Sequence, residues 1–285
     1  MTVTETGLVL GVDVGWSEKK KTTGVCVITW DRRTVTIKRE RIGKDAEHLR
    51  DDLKRLTCSQ TILALAIDGP LRGTLDEIGV YRDAEMMLTR GFQQSIGKPG
   101  QSSSPNGKEL NRAANSVAQV VLSQNLLAKA VHKARIHDNA VVEAFPTSFL
   151  GVMLDEGQHP LSGTRSDVYF EHLLGPAFFR AKIPAENRLV ALLKDLLPGR
   201  EIRDTFADVA DHEERAAISC AITAVCVTAR KYVAVGDRRN GYIILPPAVP
   251  SERPGLQPWA LRNLRRNCPT GNHEALICEP ADESN

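Results

Sequence analysis

Two aspartates have the sequence context of a catalytic or metal-binding group at a strand end. Asp13 ends an apolar run that starts at Leu8, and Asp68 ends a second apolar run that starts at Ile62. Runs of this length are typical of buried strands, so each acid is expected where a strand ends. Glycines beside both acids leave room for a ligand or a metal ion to approach the backbone. We therefore expect the two carboxylates to meet and to hold divalent metal ions.

A third carboxylate is expected from a helix late in the chain. Residues 211–233 predict a helix that Asp211 caps, with Glu213 and Glu214 in its first turn. Glu214 shares a helix face with Ala217, so it should point toward whatever this helix packs against. Converging carboxylates raise one another's pKa unless a cation neutralises them. Such oxygen ligands suit Mg²⁺ or Mn²⁺, and two ions about 4 Å apart can activate water for phosphodiester cleavage.

Each acid also has a simpler explanation. Asp13 lies between glycines and Asp68 precedes a Gly-Pro pair, and these contexts are typical of turns. Glu213 and Glu214 complement the positive end of a helix dipole. The functional interpretation therefore depends on the joint pattern and not on any single acid.

The elements that must position these acids follow a mixed α/β pattern. The third predicted strand alternates in polarity and follows the second after a tight turn, so we expect the first three strands to form an antiparallel meander. A predicted helix precedes the strand that ends at Asp68, so this strand should lie parallel to the first one. A further strand carries Glu143 near its exit. The predicted strands are residues 7–14, 24–30, 34–38, 61–68, 140–146 and 241–246, and the predicted helices are residues 45–56, 80–92, 109–136 (one helix or two) and 211–233.

This order predicts a single α/β domain over residues 1–246, with helices on both faces of a mixed sheet. Residues 147–207 are expected to form a helical insertion, because helical patterns alternate there with polar breaks. Residues 93–108 are rich in Gly, Pro and Ser, which is typical of either a mobile flap or a disordered linker. Residues 247–285 are rich in Pro, Arg and Asn, and we expect a loosely ordered tail there.

The composition is that of an ordinary globular protein, with 42% hydrophobic and 25% charged residues. The formal net charge is +2 and aromatic residues make up 5%, which argues against tight, base-stacking binding of nucleic acid. Lys19 and Lys20 lie in a basic cluster near Asp13 and are candidates for contact with a substrate phosphate. No apolar run reaches membrane-spanning length, and the six cysteines include no CxxC pair, so we expect a cytoplasmic protein with no membrane contact.

Six short motifs, in order along residues 7–229, resemble a known protein family. They are GVDVG, GVCVITW, AIDGPL, YRDAE, VVEAFPTSFLG and DHEERAAISCAITA. These motifs are similar to those of the family called domain of unknown function 429, whose members are predicted RNase H-like nucleases. The resemblance implies an RNase H-like fold and a metal-dependent nuclease that uses two Mg²⁺ or Mn²⁺ ions on DNA or RNA.

The resemblance also implies roles for individual residues. It assigns catalytic positions to four acids, Asp13, Asp68, Glu143 and Glu214, and metal-ligand positions to Asp13, Asp68 and Glu214. RNase H-like enzymes usually supply an aspartate from the last helix, so Asp211, Glu213 and Glu214 all stay candidates for that ligand. Arg82 and Glu85 match a further motif of the family, and we expect Arg82 to contact a substrate phosphate.

Two other functions stay open at this point. Actin-like ATPases and sugar kinases share the RNase H-like core, and their first hairpin carries a G-x-D-x-G pattern that holds phosphate. Those proteins generally need two copies of the core, whereas this sequence shows one full copy and one meander. The remaining alternative is a non-catalytic RNase H-like protein that binds nucleic acid without cutting it.

Overall fold

The three acids predicted on strands lie on one mixed sheet. The computed structural model describes residues 3–17, 19–44, 46–72, 74–92, 96, 101–157, 166–174, 187–250, 253–272 and 274–279. In those ranges the strands are β1 (Gly7–Asp13), β2 (Thr22–Trp30), β3 (Thr34–Gly43), β4 (Ala64–Asp68), β5 (Val141–Ala144), β6 (Glu201–Ile202), β7 (Tyr232–Asp237), β8 (Gly241–Leu245) and β9 (Leu276–Glu279). The helices are α1 (Ala46–Thr57), α2 (Asp83–Met87), α3 (Pro105–Leu122), α4 (Pro146–Gly151), α5 (Ser166–Leu173), α6 (Arg188–Leu196), α7 (His212–Thr228) and α8 (Pro258–Asn267).

The strand order across the sheet is β6-β3-β2-β1-β4-β5-β8-β7-β9. β2 runs antiparallel to both β1 and β3, so the first three strands form a meander. β4 and β5 extend the sheet on the other side of β1, each parallel to the strand before it. β8 continues this parallel part, and β7 pairs antiparallel with both β8 and β9. The predicted α/β fold, with a meander joined to parallel strands, is confirmed.

α7 packs directly on β1 and β2 because glycines line the contact. A Cβ on Gly11 would lie 2.1 Å from the backbone nitrogen of Ala221, and a Cβ on Gly24 would lie 2.3 Å from the carbonyl oxygen of Glu213. No larger side chain fits at either position unless the helix moves away from the sheet. This close approach brings the start of α7 to the end of β1, where Asp13 lies.

The last part of the chain differs most from the sequence prediction. Residues 247–285 were expected to be loosely ordered, but α8 buries Trp259 and Leu264, and β9 pairs with β7 at the edge of the sheet. The prediction of a loose tail is therefore wrong for these two elements. The physical reason is that a few large apolar side chains anchor a segment whose average composition is polar.

The predicted helix at residues 211–233 is also too long. α7 ends at Thr228, and the chain turns at Arg230, whose φ of 53° interrupts the helix, before β7 begins at Tyr232. The apolar pattern continues through this turn into the strand. Hydrophobic pattern alone therefore does not separate the helix from the strand that follows it.

Three segments in the middle of the chain also differ from their predictions. α3 begins at Pro105 and is capped by Ser104, so the end of the predicted linker at residues 93–108 is helical, while residues 93–95 and 97–100 lie outside the described ranges. The helix predicted over residues 109–136 ends at Leu122, and the one over residues 80–92 is reduced to α2.

The predicted helical insertion at residues 147–207 holds α5, α6 and most of α4, but it also contributes β6, a strand that the sequence did not predict. β6 extends the sheet beside β3. Residues 158–165 and 175–186 of this region lie outside the described ranges. Among the helices that the structure describes, none is both long and apolar enough to span a bilayer.

Candidate functional site

Asp13 and Asp68 lie side by side at the C-terminal ends of two neighbouring strands. The parallel register of β1 and β4 pairs the Cα of Asp13 with the Cα of Asp68. Paired residues of parallel strands point to the same face of the sheet, so the two carboxylates share one environment. Asp13 is 2% exposed, whereas Asp68 is partly exposed. The structure thus brings together the two acids on which the sequence argument was built.

The ammonium of Lys20 lies beside the carboxylate of Asp13. Lys20 Nζ donates hydrogen bonds to Oδ1 and Oδ2 of Asp13 at 2.9 and 2.8 Å. Lys20 belongs to the connection between β1 and β2, which returns past the end of β1. Its side chain is 23% exposed, so the pair is accessible from solvent on the lysine side. Lys19, the other predicted substrate contact in this connection, is exposed.

Burial makes the ionised form of both aspartates unfavourable. Burial raises the pKa of Asp13, and the charge of Lys20 opposes this effect. Burial and the neighbouring charge of Asp13 raise the pKa of Asp68 to about 8. Burial alone would lower the pKa of Lys20, but the carboxylate of Asp13 outweighs it and raises the pKa overall. The site therefore favours the uptake of a further proton or cation.

The start of α7 places charged side chains near the aspartate pair. The charges of His212 and Glu213 act on Asp13, the first lowering and the second raising its pKa. The charge of Glu214 instead adds to the effect of burial, which raises the pKa of Cys26. Glu213 is therefore the α7 acid whose charge is seen at the aspartate pair.

Asp211, the remaining candidate on this helix, has two structural contacts. Its carboxylate accepts a hydrogen bond from the backbone N–H of Glu214 at 3.2 Å, which caps α7. It also pairs with the guanidinium of Arg41 at 2.8 Å. These contacts fix the start of the helix beside β2 and leave Asp211 directed at the meander.

Glu143 and Arg82 lie next to the aspartate pair but are bound to each other. Two nitrogens of the Arg82 guanidinium donate to the two carboxylate oxygens of Glu143 at 2.6 and 2.8 Å, and Nε donates to Glu85 at 2.9 Å. Arg82 is 1% exposed, and the backbone N–H of Leu71 gives Glu143 a further hydrogen bond. Arg82 and Glu143 both line a pocket beside Asp68, but a contact between Arg82 and a substrate phosphate would require the bonds of this network to rearrange.

The donor set at the aspartate pair fits one hard cation better than two. In the described part of the chain, no three His, Cys, Asp or Glu side chains are grouped so as to hold a metal ion. Asp13 and Asp68 nevertheless supply up to four carboxylate oxygens side by side, of the type that Mg²⁺ and Mn²⁺ prefer. A second ion would need another acid, and the charges of Glu213 and Glu143 act on Asp13 and Asp68, respectively.

A pocket of about 340 Å³ opens beside Asp68. The rings of Trp16 and Phe145 line it together with the first turn of α3, whose N–H groups carry partial positive charge. Ser102, another lining residue, is fully buried and its hydroxyl has no hydrogen-bond partner. The pocket thus combines aromatic surface, a helix N-terminus and an unused hydroxyl next to a candidate catalytic acid.

Several contacts at this site were not predicted from the sequence. Lys20 was expected to contact a phosphate, and its pairing with Asp13 depends on the path of a connection that no periodic pattern describes. Ser102 lies in the Gly- and Ser-rich segment that was interpreted as a flap or linker. Phe145 directly follows β5 and Trp16 lies three residues after β1, and a large ring just beyond a strand that carries an acid is a signal that can be recognised in a sequence.

Comparison with known proteins gave no match. Neither a family model, nor a curated protein, nor a solved structure matches this chain. The likeness of its motifs to the family of domain of unknown function 429 therefore stays a resemblance. A functional conclusion has to come from the geometry of the site.

Proposed function

We propose that this protein hydrolyses phosphodiester bonds of nucleic acid, with Mg²⁺ or Mn²⁺ held by Asp13 and Asp68. The observation that carries the proposal is the register of parallel β1 and β4, which aligns the two acids at one end of the sheet. The meander β1–β3, continued by parallel β4 and β5, agrees with the RNase H-like fold that the resemblance implies. The raised pKa values of both carboxylates support a need for additional positive charge.

Lys20 is the residue that has to move for this site to work. When a divalent ion is bound, it supplies a Lewis acid for a phosphoryl oxygen and lowers the pKa of a water molecule. Asp13 would then exchange the ammonium of Lys20 for that ion. The displaced ammonium, together with exposed Lys19, would lie beside the site and bind oxygens of the substrate phosphate.

The pocket beside Asp68 is suited to a nucleotide unit next to the cleaved bond. Trp16 and Phe145 offer ring surface on which a base can stack, and such stacking is worth about 1–3 kcal/mol per base. Ser102 can donate or accept one hydrogen bond, and the N-terminus of α3 favours an anionic group. A pocket of about 340 Å³ matches a substrate that engages one or two nucleotides rather than a long stacked strand.

A second candidate function is non-catalytic binding of nucleic acid. The specific observation in its favour is the Lys20–Asp13 ion pair, because a permanent internal cation would make a metal ion unnecessary. In that case Asp13 would be a structural partner of Lys20. Nucleic acid would then bind without divalent ions, and no cleavage would be observed.

The test is a cleavage panel with Mg²⁺ and Mn²⁺ over single strands, duplexes, RNA–DNA hybrids and branched junctions. The wild-type protein is expected to cleave at least one substrate only when a divalent ion is present. Asp13→Asn and Asp68→Asn should lose this activity by a factor of about 100 or more, which corresponds to about 3 kcal/mol of transition-state stabilisation. Asp76→Asn, which removes an exposed acid, is the matched control. Metal-independent binding without cleavage would favour the second candidate.

A further inference from the structure

A second pocket, of about 480 Å³, lies between the loop that precedes β5 and the turn that joins β7 to β8. Neither of the aspartates of the proposed active site lines it. Its polar lining comes from His132, Lys133, Arg135, His137, Asp138 and Arg238. Three of these side chains are cations at neutral pH and one is an acid, so the pocket has an excess of positive charge.

The imidazole ring of His132, which lines this pocket, makes no hydrogen bond. It is 5% exposed, and neither ring nitrogen has a hydrogen-bond partner. Burial and the nearby charges of Arg135 and Arg230 lower its pKa to about 4, so the ring is neutral, with one N–H donor and one lone pair. Buried polar groups are almost always paired in folded proteins, so an unpaired one that lines a pocket is available to bond a group bound there.

The loop that carries His132 is held in place by its surroundings. Its two ends pair antiparallel at Lys129 and Asn139. The hydroxyl of Tyr232 accepts hydrogen bonds from the backbone N–H groups of Lys133 and Ala134 at 3.0 and 3.2 Å. Arg230 donates to the carbonyl oxygen of Val131 at 2.7 Å. A loop fixed in this way can present several groups to a ligand without a large ordering cost on binding.

The cations come from both walls of the pocket. Lys133 and Arg135 belong to the loop before β5, and Arg238 belongs to the turn after β7. Lys133 also lies 3.7 Å from the buried carboxylate of Glu279, and Arg238 lies 3.6 Å from Glu274 in an exposed ion pair that contributes little and can rearrange. Three cations beside a neutral imidazole suit a group with several anionic oxygens.

We propose that this pocket is a phosphate-binding site. The bound group would place its oxygens between Arg135 and Arg238 and accept or share a hydrogen bond with the ring of His132. The phosphate can belong to a small molecule or to a nucleic acid backbone, because the recognising chemistry is the same. This site shares no residue with the aspartate pair, so it does not depend on the proposed hydrolytic activity.

Calorimetric titration of the full chain with inorganic phosphate tests this proposal. Saturable binding of one phosphate is expected, and it should weaken about tenfold in Arg135→Ala and in Arg238→Ala, as expected when a charge-assisted hydrogen bond is lost. Arg239→Ala removes an equal charge one residue from Arg238 without changing the pocket lining, so it should bind as the wild type does. Both test residues are exposed, which keeps the variants folded.

Two further measurements complete the test. Phosphate should shift the ring signals of His132 in NMR spectra of the wild-type protein, identified by their absence from His132→Gln. Repeating the titration with a mononucleotide and with a short oligonucleotide identifies the source of the phosphate, since the physiological one should bind more tightly and with the same dependence on Arg135 and Arg238. Absence of saturable binding, or equal weakening in Arg239→Ala, would overturn the proposal.

Discussion

Lys20 Nζ lies 2.9 and 2.8 Å from the two carboxylate oxygens of Asp13, and Asp13 is in register with Asp68 on the next strand. The ammonium of Lys20 therefore bonds to Asp13, and its charge also acts on Asp68 at the end of the neighbouring strand. The charge of Lys20 only partly offsets the effect of burial on the pKa values of the two aspartates. One ammonium is therefore not enough to neutralise both carboxylates. The proposed function follows from what can replace or supplement that ammonium.

Replacing Lys20 by methionine keeps most of the side-chain volume and removes the charge. In buffer without divalent ions, Lys20→Met should lower the free energy of unfolding by about 1–3 kcal/mol, because Asp13 loses its partner and has to take up a proton. Mg²⁺ or Mn²⁺ should then raise the melting temperature more in this variant than in the wild type, since the ion no longer competes with the ammonium. Differential scanning fluorimetry measures both effects.

The matched control for this experiment is Lys19→Met, at an exposed position one residue away. It should change neither the melting temperature nor its response to divalent ions. If Lys19→Met and Lys20→Met respond alike, the Lys20–Asp13 pair does not govern metal binding.

The raised pKa of Asp68 predicts a specific dependence of stability on pH. From its ordinary value of 3.8 the pKa rises to about 8 in the folded protein, so between those values the folded state holds a proton that the unfolded state has lost. The contribution of Asp68 to the free energy of unfolding must then fall as pH rises through this window, by at most about 1.4 kcal/mol per pH unit. Solvent screening at this partly exposed carboxyl reduces the slope.

Urea unfolding of the wild type and of Asp68→Asn across this pH window measures the effect. The variant should match the wild type at the acidic end and become relatively more stable toward pH 8, without divalent ions in both cases. Parallel stability curves for the two proteins would show that Asp68 ionises normally and would remove one support for the metal site.

The Arg82–Glu143 network is expected to be structural. Arg82→Met leaves two buried carboxylates, Glu143 and Glu85, without their guanidinium, which should cost about 3–5 kcal/mol of unfolding free energy. The exposed Arg90→Met is the control and should stay within about 0.5 kcal/mol of the wild type. Similar urea midpoints for the two variants would mean that Arg82 is available for another role, such as the phosphate contact predicted from the sequence.

Gly24 controls how closely the start of α7 approaches Asp13. Gly24→Ala places a methyl group 2.3 Å from the carbonyl oxygen of Glu213, so the helix has to shift, at a cost of about 1–3 kcal/mol. Gly43→Ala, at a position with nothing within 4 Å of the added Cβ, should leave stability nearly unchanged. Thermal unfolding compares the two variants, and equal melting temperatures would contradict the tight contact between α7 and β2.

Elements whose hydrophobic pattern matches their burial in the structure could be predicted from the sequence. The strands that end at Asp13 and Asp68 are short apolar runs, and their parallel pairing follows from the helix between them. The small residues Ala217 and Ala221 of α7 lie directly against Gly11 of β1.

The rest depends on contacts between residues that are distant in sequence or lie in irregular segments. Arg82 and Glu143 are 61 positions apart in the sequence. Nothing in the local pattern around either residue indicates that the two side chains pair. The choice of Glu213 over Glu214 at the aspartate pair depends on the rotation of α7, which tight packing at Gly24 sets. α8 is mostly polar, and it is held on the protein by the burial of Trp259, Ala260 and Leu264 and by a hydrogen bond from the indole N–H of Trp259 to the carbonyl oxygen of Leu154.

Titration with Mn²⁺, followed by electron paramagnetic resonance of the free ion, tests the central claim most directly. The wild-type protein should bind Mn²⁺ saturably, Lys20→Met should bind it more tightly, and Asp13→Asn and Asp68→Asn should each weaken binding about tenfold or more. Unchanged Mn²⁺ affinity in both aspartate variants, or no saturable binding by either the wild type or Lys20→Met, would contradict a metal site at the ends of β1 and β4.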